Sequence, residues 1–354
     1  MPCHITEEVL GRHLRAITLS NDLISTTVLV DKGADIYRLS YLPAGVDVLW
    51  KAPWGLREPG SGFAPTVHSE VAWMEHYAGG WQVLFPNAGN ACTYKGVELP
   101  FHGEASTLPW QAEILASGPS HVSIRLSVRL FRSPFHLERT MTITEGSPSL
   151  TLAERITNES AEPLAAMWVH HPAFGAPFLT PACHIDTGAK TISADAAYDT
   201  PGGRVLPGGR WIWPHATTRS GEPVDLSLVP EQGDAMLYLS DFTDGWCAIT
   251  NPDLGFGLAL IWPCELFPYA WFWQEFSSSS GYPWYSRGHT MAIEPASSIP
   301  GLGLQHVIEN TGNHLNFAPG ATKEFTLSAV FFPASASERV AHVSPTGVVS
   351  FAPS

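Results

Sequence analysis

The sequence predicts an all-β fold, a large antiparallel β-sandwich, and three observations carry that expectation. Apolar residues recur with a period of two. No long stretch repeats at the helical period of 3.6. The 31 Gly and 30 Pro punctuate the chain too often for a helical bundle or a doubly wound sheet. The clearest strand is 121–130, HVSIRLSVRL. Val122, Ile124, Leu126, Val128 and Leu130 share one face, and Ser123, Arg125, Ser127 and Arg129 the other, as a half-buried strand requires. The stretches 140–144 (TMTIT) and 150–156 (LTLAERI) continue the pattern. Further strands are expected at 235–240, 246–251, 257–262 and 323–332, with the turn clusters GSPS, NPDLG and APGA between them. A short helix is expected near 336–342. The Pro- and Gly-rich stretch 200–209 and the serine run 277–280 read as surface loops, not linkers. The chain is therefore expected to be one domain over 1–354, with a loosely held tail from about 340.

Composition narrows the function. The chain has 354 residues, 15% charged, 44% hydrophobic and 11% aromatic, which is a globular composition with ample core. No apolar run approaches the ~20 residues of a membrane span. The first residues lack the basic and apolar regions of a secretory signal, so a cytoplasmic location is expected. A net charge of -14, with only 19 Lys and Arg spread along the chain, argues against a nucleic-acid partner. Five widely spaced cysteines without a CxxC read as reduced thiols.

Three segments gather polar, titratable and aromatic residues more densely than a core needs: 79–104, 168–178 and 269–300. Trp73, Trp81, Trp110, Trp168, Trp271, Trp273 and Trp284 lie in or near them. Flat aromatic walls with a few placed polar groups suit the C–H faces of sugar rings. His102 in HGE, and His170 and His171 in HHPAFG, titrate near neutrality and are candidates for proton transfer. Alternation along a strand lets only one of His170 and His171 face a ligand, and the spacing leaves open which. Glu294 in IEP ends an apolar run, and a carboxylate in a dry cleft becomes a stronger base. HxH, HExxH, GxSxG, GxGxxG and GxxxxGK[ST] are all absent, so neither a metal nor a nucleotide cofactor is expected.

In this order the segments resemble the aldose 1-epimerase (galactose mutarotase-like) family, from about Val28 to Phe332. LVDKGADIYRLSYLPAGVDVLW is similar to the family's opening strands, GGWQVLFPNAG with HGEASTLPW to its first sugar-binding loop, HPAFG to its H-x-aromatic-F segment, and IEP to its C-terminal glutamate segment. The resemblance implies a supersandwich with the site on a concave sheet face and a reducing sugar as small-molecule partner. It implies an isomerase that needs no cofactor and works as a monomer or homodimer. It implies Glu294 as general base, His171 as general acid and His102 as a sugar contact, with Asn87, Trp81, Trp273, Gln274, Tyr285 and Arg287 as further substrate-binding candidates. Two departures stand out. Ala91 follows Gly-Asn where the family often has Arg, and Ala173 replaces the aromatic before Phe174. Arg287 is the candidate to hold an anionic substituent in compensation. The competing readings are a non-catalytic carbohydrate-binding protein, and a glycoside hydrolase or lyase pairing Glu294 with Glu275 or Glu104.

Overall fold

The computed structural model describes residues 2–57, 67–335 and 338–352. Two antiparallel sheets dominate it, of 12 and 8 strands. The larger runs from the edge strand His4–Leu10 through Leu14–Ser20, Ile24–Leu29, Asp35–Tyr41, Trp81–Leu84, Val169–Gly175, His289–Ala296, Tyr269–Phe276, Gly233–Ser240 and Thr191–Ala194 to Arg210–Ile212, with the short twelfth strand Val46–Asp47 also paired to Asp35–Tyr41. The smaller runs from His184–Thr187 through Gly245–Asn251, Phe256–Trp262, Thr322–Pro333, Ser149–Asn158, Phe135–Thr144 and His121–Arg129 to Gln111–Ser117. Each strand expected from period-two alternation is present, extended by a residue or more at one or both ends or shortened by one at its C-terminal end.

Alternation decides what each face does. In the smaller sheet Ile124, Leu126, Met141 and Leu152 point inward and meet Ile17, Leu39, Phe272 and Ile293 of the larger sheet in one core. The larger sheet buries its other face as well, under a second cluster that includes Trp50, Trp73, Tyr77, Trp271 and Leu304. Strands in its centre are therefore covered on both sides, and Val169–Gly175 is buried at every position. A doubly covered strand reads as a continuous buried run and loses the polar-out signal.

The inter-sheet core also holds charge. Arg139 and Glu154 pair on adjacent strands, and Arg139 donates to the Ala34 carbonyl at 2.9 Å. His170 Nε2 lies 3.3 Å from Glu154, and its Nδ1 accepts the Trp81 indole N–H at 3.2 Å. Burial raises the Glu154 carboxyl, but Arg139 and His170 outweigh it and bring it down to about 2.

Two expectations are corrected. The stretch after 340 is a hairpin, Val340–Val343 with Val349–Phe351, and not a loose tail. Val340 and Val343 bury against Trp246 and Ile261, which anchors it. Of the helix expected over 336–342, residues 336 and 337 lie outside the described residues, and 340–342 belong to that hairpin. Among the described residues two short helices occur instead, Ser69–His76 and Leu304–Asn310. Each is about two turns long, too short to show an amphipathic period. Tertiary contacts hold them: Trp73 buries from the first, and the second begins where the Leu304 N–H donates to Asn87 Oδ1 at 2.7 Å. Among the described residues no helix is long and apolar enough to cross a membrane.

Candidate active site

Four neighbouring strands of the larger sheet floor a cavity of about 380 Å³. Trp271 pairs with Glu294 on one side and with Tyr238 on the other. The pairs Val169↔Ala296 and Ala173↔Ala292 bracket His171 and Glu294, which puts these two across from each other. His171, Glu294, Trp271 and Tyr238 thus form one row across the floor. The next row, two residues along each strand, is Ala173, Ala292, Trp273 and Met236.

His171 Nε2 lies 3.7 Å from Glu294 Oε1, and both side chains are almost wholly buried. His171 Nδ1 and Glu294 Oε2 are buried and have no hydrogen-bond partner among the described residues. Burial pushes the Glu294 carboxyl well above its usual range and the His171 imidazole down to about 4. Both shifts favour the neutral forms, a protonated carboxyl and an unprotonated imidazole, whereas the expectation from the sequence has Glu294 ionised and His171 protonated. The pair carries one proton in either arrangement.

The loops complete the wall. His102, at a positive φ of 60°, accepts the Gly89 N–H on Nδ1 at 3.0 Å. That bond fixes its proton on Nε2 and leaves Nε2–H as a donor. Burial, and then the neighbouring His171, hold its pKa well below the usual value. Gly89 has φ +75°, and a Cβ there would come within 1.7 Å of the Gly301 carbonyl, so only glycine lets this loop close. The Trp73 ring stands edge-on to His102 with centroids 4.6 Å apart and stacks on Tyr77 at 4.6 Å. Tyr77 meets His171 at 5.6 Å and 90°, and its hydroxyl is buried without a partner among the described residues. Burial, then Glu294, raise that hydroxyl well above its ordinary pKa.

Of the sequence candidates, Glu294, His171, His102 and Trp273 line the cavity. Five do not. Trp81 points into the inter-sheet core and serves His170. Gln274 follows Trp273, so alternation turns it to the other face, where it accepts from Arg204 at 2.5 Å. Tyr285 is 59% exposed, and the Arg287 guanidinium sits 5.9 Å over its ring. Asn87 is fully buried as a scaffold residue: it donates to the carbonyls of Asn90 and Pro100 and accepts from Leu304. Neither Glu104 nor Glu275 lines the cavity; Glu104 accepts from Arg132 and Ser133, and Glu275 from Ser278 and Ser279. Sequence reading missed Tyr77, Asp195 and Tyr238, which carry no motif and reach the site only through folding.

Asn87→Ala leaves a buried donor and acceptors unpaired. It is expected to cost about 1–3 kcal/mol in urea unfolding while the affinity of the folded protein for its ligand stays unchanged. Lost affinity at unchanged stability would return Asn87 to the ligand.

A family model described as a domain of unknown function, DUF4432, matches residues 11–209, more than half of the sequence. The chain belongs to the DUF4432 family. No curated protein matches its sequence. Solved structures give this DUF4432 protein its fold. A Klebsiella pneumoniae subsp. pneumoniae protein, provisionally assigned as an aldose 1-epimerase, superposes with a TM-score of 0.69 at 17% identity, over 94% of this chain and 84% of its own. A galactose mutarotase-like protein from Clostridium acetobutylicum gives 0.66 at 13%, over 94% and 99%. A galactose mutarotase-like protein from Lactobacillus casei gives 0.58 at 16%, over 90% and 100%. The DUF4432 chain thus has the galactose mutarotase-like all-β sandwich fold.

Proposed function

We propose that this protein is an aldose 1-epimerase that interconverts the α and β anomers of a neutral reducing sugar. The observation that carries the reading is the buried His171–Glu294 pair, 3.7 Å apart at the floor of an aromatic cavity. Anomer exchange needs one group to take a proton and another to give one, with no net change. As the anomeric O–H loses its proton, its electrons form the C1 carbonyl, the bond from C1 to the ring oxygen breaks, and the ring oxygen takes a proton. Rotation about C1–C2 presents the other carbonyl face, and the same steps run backwards.

A pair that shares one proton can serve both ends. With the proton on His171, Glu294 accepts from the anomeric hydroxyl and His171 gives to the ring oxygen. With the proton on Glu294 the roles exchange, and burial favours this second state before the sugar binds. His102 keeps a neutral ring and offers Nε2–H to a sugar oxygen throughout. The absence of Lys and Arg among the described lining residues supports a neutral sugar over an anionic one.

Magnetisation-exchange NMR on equilibrated reducing sugars tests the proposal. Faster α/β exchange for at least one sugar at catalytic protein concentration is the expected result. Saturable binding without exchange across the panel would favour the carbohydrate-binding reading, and turnover of glycosides the hydrolase reading.

A further inference from the structure

We infer that the sugar accepted here is a 6-deoxyaldohexose, with a terminal methyl where the common hexoses carry CH2OH; this rests on the epimerase reading of the same site. The floor is divided by polarity. The row with His171 and Glu294 carries the proton-transfer groups. The next row, about 6.7 Å along the strands, presents Trp273 and Met236 to the cavity, an indole and a thioether. Trp284 packs on Trp273 with ring centroids 5.3 Å apart and extends this apolar end upward.

Beside Met236, two polar groups of the cavity are already engaged, while the unpartnered Tyr77 hydroxyl lies at the His171 side. Asp195 accepts the Ala197 N–H at 2.7 Å and the Tyr238 hydroxyl, and Tyr238 accepts the Gly301 N–H at 2.9 Å. A pyranose held by its anomeric and ring oxygens at the first row carries C6 one atom beyond C5, which is bonded to the ring oxygen. Laid along the strands, that substituent meets the apolar row. A hydroxyl there gives up its water without a matching partner, whereas a methyl gains burial. Apolar pockets reject an added hydroxyl by up to about 10²-fold.

The test uses matched pairs from the same enantiomeric series: 6-deoxyglucose against glucose, fucose against galactose, rhamnose against mannose, with glucuronate and galacturonate added. Exchange NMR gives kcat/KM, and quenching of tryptophan fluorescence gives Kd. The expected result is a preference of about 10- to 100-fold for at least one 6-deoxy sugar over its parent, with the uronates weakest. Met236→Gln, or Met236→Thr should the first fail to fold, places a polar group at this end of the cavity and is expected to bring that ratio towards one. Parent hexoses exchanged as well as their 6-deoxy partners would overturn the inference and leave the epimerase reading standing. Tighter quenching by 6-deoxy sugars with no exchange of any sugar would overturn the epimerase reading and leave the ligand class standing. No exchange and no quenching would overturn both.

Discussion

On the epimerase proposal, replacing Glu294 by Gln is expected to lower anomer exchange by about 10²–10⁴-fold. The amide keeps the size and one hydrogen-bonding oxygen of the carboxyl, so sugar binding, read by tryptophan quenching, is expected to survive. The same change is expected to stabilise the protein at neutral pH. Burial holds the folded carboxyl well above the ordinary glutamate value of 4.5. Above pH 4.5 the unfolded chain releases a proton that the folded chain keeps, so this group's contribution is full below 4.5 and is lost as pH rises. Gln removes that cost, and a melting temperature equal to or above wild type is the expected reading.

The variant also uncovers a pH dependence that the pair conceals. In wild type the proton that burial keeps on Glu294 offsets the one that the unfolded histidine gains. Without Glu294, the unfolded histidine binds a proton between 6.5 and about 4 that folded His171 does not. Stability of Glu294→Gln should therefore fall more steeply than that of wild type as pH falls through that window, where His102, His184 and His289 already give both proteins a slope of the same sign. Full exchange activity in Glu294→Gln would move the proton-transfer role to another group. Unchanged stability with no steeper slope would contradict the dry, proton-sharing pair.

The second large effect concerns folding. Glu154→Ala leaves Arg139 charged and without its carboxylate between the two sheets, where Arg139 is 1% exposed. Breaking a buried pair from one side costs about 3–5 kcal/mol, a large share of a protein's stability. Wild type should show the linked pH effect. Glu154 is depressed from 4.5 to about 2, so its contribution is complete above 4.5 and is lost as pH falls towards 2. It amounts to about 3 kcal/mol. Urea unfolding of both proteins between pH 7 and 3 measures this. Equal stability at pH 7 would show that solvent or another group satisfies Arg139. His170, which touches Glu154, explains why two adjacent histidines have different work: one ties the sheets together and its neighbour faces the cavity.

Strands were legible in the sequence wherever one face met the core and the other met water. In His121–Arg129 the alternation of Val122, Ile124 and Leu126 with polar neighbours marks both the strand and its buried face. The motifs around His102, His171 and Glu294 were legible as well, and all three side chains line the one cavity. Sequence alone determined the all-β class, the positions of those three residues and the aromatic character of the site.

Tertiary structure decided which way each candidate points. The central strands are buried on both faces, so hydrophobicity does not separate core from cavity. Trp81 and Trp273 are both buried or partly buried strand tryptophans, yet one enters the inter-sheet core and the other the cavity. Gln274 and Trp273 are neighbours that alternation sends to opposite faces. Asn87 looked like a ligand contact but caps a helix 217 residues further along the chain. Tyr77 and Asp195 became site residues only when distant loops closed over the sheet. Protonation was settled last. The charge on Glu294 and His171 depends on how thoroughly folding removes water from both, and that burial is a property of the assembled sheet and loops.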